Sequence, residues 1–232
     1  MILTLQTIPS TLLSELLCHS DLDGIVLDTE HGCFNNETLY SCIQIITSNN
    51  KKCFVRFTDL NKQLVRMCLD ARIDGAIFST VENEQQVKEI LDFCTYPCYN
   101  GKRGCGLVRE NLWGKHKLST NKPIIIAQLE TKEGVDNIDI ICNSDFNYYI
   151  IGPFDLSNSL GCVGDWQNIK YKNYIEKIYN KISKNKIGIF LPTIKNIETV
   201  KRQDIHEHGI VIIGMDTEYI KIGMNTIWNM II

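Results

Sequence analysis

Gly24-Ile-Val-Leu-Asp28-Thr-Glu30-His31-Gly32 is the stretch on which the fold turns. It runs apolar, then releases two carboxylates and an imidazole within four residues. A continuous apolar run predicts a strand buried on both faces, the habit of parallel sheets. The pattern recurs in Pro123-Ile-Ile-Ile-Ala-Gln128-Leu-Glu130 and in Tyr148-Tyr-Ile-Ile-Gly152-Pro-Phe154-Asp155. Cys53-Phe-Val-Arg56-Phe places a guanidinium inside a further strand. Polar groups gathered at the carboxyl ends of parallel strands are where α/β barrels keep their chemistry, so the chain reads as an enzyme.

Outward from these runs, strand-like and helix-like segments alternate. Strands are predicted over 2–6, 24–28, 53–57, 75–79, 123–129, 148–152, 187–191 and 210–214. Between them, Leu64, Met67, Cys68 and Ala71 fall at helical spacing, as do Val87, Ile90, Leu91 and Cys94. Ser10 and Asn83 mark helix starts. Eight alternating units predict a parallel sheet closed into a (β/α)8 TIM barrel. No linker or repeat divides residues 1–232, so a single domain is expected. The longest irregular piece, 96–122, carries Pro97, Gly101, Gly104, Gly106 and Gly114, and is expected to overhang the active-site face.

The bulk numbers narrow the function. A formal charge of -3 gives no reason to expect nucleic acid, and the lysine-rich run 170–186 reads as a solvated helix face. No apolar stretch approaches the roughly 20 residues of a membrane span. Ten cysteines without paired CxxC spacing fit neither zinc nor a disulfide framework. Several, such as Cys42, Cys53, Cys68 and Cys142, sit in apolar segments as small hydrophobes. A cytoplasmic protein with reduced thiols is expected.

At the strand ends, Glu130 and Asp155 would share one side of the barrel mouth. Two carboxylates with open positions suit a hard divalent cation such as Mg²⁺ or Mn²⁺; alternatively, Asp155 caps a helix. Arg56 needs an anion, because guanidinium keeps its charge. Either it forms an internal salt bridge with Asp28 or Glu30, or it forks a substrate carboxylate or enolate oxygen. His31 is the candidate general base. None of the eight strand runs carries a lysine, which argues against a Schiff-base aldolase. Gly101-Lys-Arg103-Gly104-Cys-Gly106 lacks the spacing of a phosphate loop.

In order along the chain, Asp28-Thr-Glu-His31-Gly, Val55-Arg56, Leu69-Asp70, Tyr96-Pro97…Gly101-Lys-Arg103-Gly104, Gln128-Leu-Glu130, Gly152-Pro-Phe-Asp155-Leu-Ser157 and Gly214-Met-Asp216-Thr217 resemble the HpcH/HpaI aldolases, the metal-dependent (class II) pyruvate aldolases. The resemblance implies a (β/α)8 barrel that cleaves 4-hydroxy-2-oxo acids to pyruvate and an aldehyde. It implies that Glu130 and Asp155 hold Mg²⁺, Mn²⁺ or Co²⁺, that Arg56 stabilises the enolate, and that His31 is the base with Asp70 raising its basicity. Gln128, the backbone near Phe154 and Asp155 would meet the pyruvate. It also implies a trimer or hexamer with exchanged C-terminal helices, which the apolar positions Ile220, Ile222, Met224, Ile227, Trp228, Met230 and Ile231 would suit. The same enolate chemistry could serve an acyl-CoA lyase, an oxaloacetate decarboxylase or a citrate-forming condensation. A non-catalytic member is the remaining alternative, against which the intact set Arg56, His31, Glu130 and Asp155 argues.

Overall fold

The structure, a computed structural model, describes residues 1–117, 122–193 and 202–231. Eight parallel strands close into a barrel in sequence order: β1 Ile2–Gln6, β2 Gly24–Asp28, β3 Lys52–Phe57, β4 Gly75–Phe78, β5 Ile124–Leu129, β6 Tyr148–Ile151, β7 Ile187–Leu191 and β8 Ile210–Met215. β1 pairs with both β2 and β8. Among the described residues the helices are α1 Thr11–Cys18, α2 Asn36–Ser48, α3 Lys62–Asp70, α4 Glu84–Cys94, α5 Lys132–Asp136, α6 Ile138–Cys142, α7 Pro153–Ser159, α8 Ile169–Lys181, α9 Arg202–Glu207 and α10 Asp216–Asn229. Helix entries follow the expected chemistry. Ser10 caps α1, and Asn83 caps α4 in a reciprocal box with Gln86. α8 and the 3₁₀ turn Lys184–Lys186 carry the lysine-rich run.

Two apolar layers hold the barrel. Inside lie Leu3, Leu5, Val26, Phe54, Ile77, Ile126, Ile150, Ile210 and Ile212. Alternate strand residues, Cys53 among them, face outward and pack under the helices, which contribute Cys42 and Cys68 to the same layer. Burial pushes the Cys94 thiol up to about 12, so it stays a neutral, hydrophobic filler. All ten cysteines are free.

Chain direction corrects one expectation. The segment 96–122 follows α4, which runs back toward the amino ends of the strands, so its described residues 96–117 lie beneath the barrel rather than over the mouth. Its 3₁₀ turns Pro97–Tyr99 and Arg109–Asn111 are pinned there. Arg109 donates to Ala71 O at 2.6 Å and to Thr47 Oγ1 at 2.9 Å, and Arg103 pairs with Glu110 and Asp70. Residues 118–121 lie outside the described residues. β3 also begins one residue earlier than predicted, at Lys52. That lysine is at the amino end and pairs with Asp74 at 2.6 Å, away from the mouth.

α10 departs from the packing of the other helices. Its start is fixed by buried Asp216, which accepts from Thr7 N, Thr7 Oγ1 and Ile8 N at 2.7–2.8 Å. Tyr219 donates to Ile213 O at 2.9 Å. Beyond that anchor the apolar residues stand in solvent: Met224 is 66% exposed and Trp228 61%. On the flanking α1, Leu12 and Leu16 are exposed as well.

Candidate active site

The mouth continues the interior pattern. With a side-chain period of two, strands that point Val26, Phe54, Ile77 and Ile126 inward also point Asp28, Arg56, Ser79, Gln128 and Glu130 inward, at the carboxyl ends. Register then decides who meets whom. Asp28 lies directly beside Arg56 on the neighbouring strand. Arg56 Nε and Nη2 donate to the two oxygens of Asp28 at 2.9 and 2.7 Å, and Nη1 reaches Glu30 Oε2 at 3.1 Å. The internal ion pair anticipated as one alternative for Arg56 is therefore present, with both carboxylates. It does not use up the side chain. Guanidinium has five N–H donors, three of which are engaged, leaving one on each terminal nitrogen. Burial alone would lower the Arg56 pKa, but Asp28, then Glu30 and Glu130, outweigh it and hold the charge.

Glu30 and His31 sit on the turn after β2, which folds so tightly that a Cβ at Gly32 would lie 2.2 Å from Asp28 O. His31 is exposed. Glu30 also accepts from Ser79 Oγ at 2.9 Å.

Glu130 is buried just past β5. Thr80 N and Thr80 Oγ1 each donate to its Oε1 at 2.7 Å, and Gln128 Nε2 donates to Oε2. Its pKa is raised, first by burial, against the hydrogen bonds from Thr80 and Gln128, with the charges of Glu30 and Asp155 adding to the rise. Gly152 leaves room for this carboxylate: a Cβ there would lie 2.7 Å from Glu130 Oε2.

Asp155 is exposed in the first turn of α7 and carries no hydrogen bond or ion pair among the described residues. The helix begins at Pro153 with Gly152 as N-cap, so the alternative role of Asp155 as a cap is not met. Phe154, half exposed, stacks edge-on against Trp166 at 5.0 Å.

Asp70 is not part of this constellation. It ends α3, at the amino end of the barrel, where Arg103 Nη2 holds it at 3.0 Å. His31 lies beyond the opposite end of the strands, so Asp70 cannot raise its basicity within one chain. Conversely, Ser79 and Thr80 were missed by sequence reasoning, although both are polar residues at the carboxyl end of β4.

Four carboxylates (Asp28, Glu30, Glu130, Asp155) face one guanidinium, a formal excess of three negative charges that a cation would offset. Among the described residues no group of three or more His, Cys, Asp or Glu side chains could hold an ion unaided. Two carboxylates completed by water and substrate oxygens still fit the habits of Mg²⁺ or Mn²⁺. The donor set therefore suits a hard divalent cation.

Relatives share this frame. A 2-keto-3-deoxy-L-rhamnonate aldolase of Klebsiella pneumoniae is 26% identical over 179 residues, 75% of this chain and 67% of that protein. The chain spans 58–67% of the length of the curated relatives it matches. An HpcH/HpaI aldolase/citrate lyase family protein from Burkholderia cenocepacia J2315 superposes with TM-score 0.88 at 20% identity, covering 99% of this chain and 93% of that one. A citrate synthase, SbnG, superposes with TM-score 0.83 at 22% identity, covering 99% and 91%. At such identity these structures speak for the fold alone. The family model of the HpcH/HpaI aldolase/citrate lyases matches residues 9–220, nearly the whole barrel, and the chain belongs to that family.

Proposed function

We propose that the protein is a carbon–carbon lyase of the pyruvate aldolase type, splitting a 4-hydroxy-2-oxo acid into pyruvate and an aldehyde and running the reverse addition. The observation that carries this reading is the pairing, in one mouth, of a braced guanidinium with two spare donors and a buried carboxylate, Glu130, charge-coupled to it. Glu130 and Asp155 would hold Mg²⁺, Mn²⁺ or Co²⁺. When bound, the cation supplies Lewis-acid polarisation of the keto oxygen.

The chain's own residues supply the rest. Asp28 and Glu30 fix the plane of Arg56, so its two remaining N–H groups are preorganised for the oxygen on which enolate charge grows. In the cleavage direction His31, acting through a water, accepts the proton of the C4 hydroxyl. The C3–C4 bond breaks, its electron pair passes to the enolate, and the aldehyde C=O forms. Protonation at C3 then yields pyruvate. Gln128 and the backbone at Phe154 would contact the pyruvate end.

Helix exchange is the second element of this reading. The apolar face of α10 and the exposed Leu12 and Leu16 of α1 support a homo-oligomer, trimer or hexamer, in which α10 of one copy covers another. Ten free thiols support a reducing, cytoplasmic location. No helix among the described residues is long and apolar enough to cross a membrane.

The test is exchange of pyruvate methyl protons into D₂O, followed by NMR with and without Mn²⁺ or Mg²⁺, beside Glu130→Ala and His31→Ala. Metal-dependent exchange that disappears in Glu130→Ala is expected. Folded protein that exchanges nothing with either metal would refute the pyruvate reading.

A further inference from the structure

Glu130 is gripped by a residue in an unusual backbone conformation. Thr80 has φ +54°, a left-handed geometry that β-branched residues rarely adopt. Such conformations persist where surrounding structure over-determines them, and they cluster at functional sites. Here the turn after β4 is locked on several sides. Val81 N donates to Gln128 O at 3.5 Å, and Gln86 Nε2 reaches Thr80 O at 3.4 Å. Gln86 Oε1 accepts from Glu82 N and Asn83 N, and Asn137 Nδ2 donates to Glu82 O at 2.8 Å. The result is that the Thr80 amide and hydroxyl converge on a single oxygen, Glu130 Oε1.

We infer that Thr80 is a positioning residue for Glu130, fixing the orientation of that carboxylate for a divalent cation. The inference rests on the reading of Glu130 as a cation ligand. Two donors on one oxygen hold the carboxylate against rotation before any cation arrives. The preceding residue does the same for Glu30 through Ser79 Oγ, so consecutive hydroxyls separate the two carboxylates into fixed places.

Thr80→Val keeps the branched shape and the amide while deleting the hydroxyl; Thr80→Ser restores it. Circular dichroism verifies that each variant folds. The readout is cation affinity rather than turnover. Mn²⁺ affinity of the metal-free protein, measured by electron paramagnetic resonance, should fall about tenfold in Thr80→Val and recover in Thr80→Ser. Thr80→Val matching the unmodified protein in Mn²⁺ affinity would overturn the inference and leave the cation reading standing. An unmodified protein that binds no Mn²⁺ would overturn both.

Discussion

Removing Arg56 tests how the mouth is held. Arg56→Ala deletes both donors to Asp28, a residue with no solvent exposure. The stranded carboxylate keeps one protein donor, the Glu30 amide at 3.0 Å. Breaking a buried pair by removing one partner costs about 3–5 kcal/mol, chiefly because the survivor stays charged and desolvated. Domains commonly have about 5–15 kcal/mol in total, so the loss is severe but survivable. At about 2–4 °C per kcal/mol for a chain of this size, the Tm should fall by roughly 6–20 °C. Asp28→Asn combined with Arg56→Ala removes the stranded charge and should recover roughly half of the loss. The assay is urea unfolding by circular dichroism at fixed protein concentration and pH 7. A loss under about 1 kcal/mol, as for an exposed pair, would refute the account of Asp28 as a charge sustained chiefly by Arg56.

Other perturbations address the cation and the assembly. Gly152→Ala drives a methyl into Glu130; it should cost about 1–3 kcal/mol by overpacking and weaken Mn²⁺ binding, read by calorimetry. Raised by burial and then by its acidic neighbours, the Glu130 pKa makes metal-free protein less stable as pH climbs through that folded value. Mn²⁺ competes with that proton, so the stability gain on adding it, read as a rise in Tm, should be larger at pH 7.5 than at pH 5, reaching about 2.7 kcal/mol when the ion is at a hundred times its Kd. Trp228→Ala with Met224→Ala strips exposed apolar surface from α10. Light scattering should show a shift toward smaller species, whereas an unchanged mass would argue against exchange through this helix.

The barrel was legible because its strands are buried on both faces: no predicted strand end lies more than one residue from its observed position, since each apolar run stops where solvent or the mouth begins. The same period of two carries Asp28, Arg56, Gln128 and Glu130 into the mouth. Legibility failed where direction, rather than periodicity, decides. Asp70 and the segment 96–122 both follow a strand–helix unit, and a chain that has descended a helix has returned to the amino end of the sheet. The family resemblance for Asp70 and the glycine-rich character of the segment suggested chemistry, yet the alternation already in the sequence assigns them to the far end, where Arg103 joins Asp70 to Glu110. Thr80 failed for a different reason. Nothing in Phe78-Ser79-Thr80-Val81 announces a positive φ, because that conformation is imposed by Gln86, Gln128 and Asn137 from three other segments. A strand end thus specifies which side chains enter a barrel mouth, while the geometry they adopt there is set by the loops that cross it.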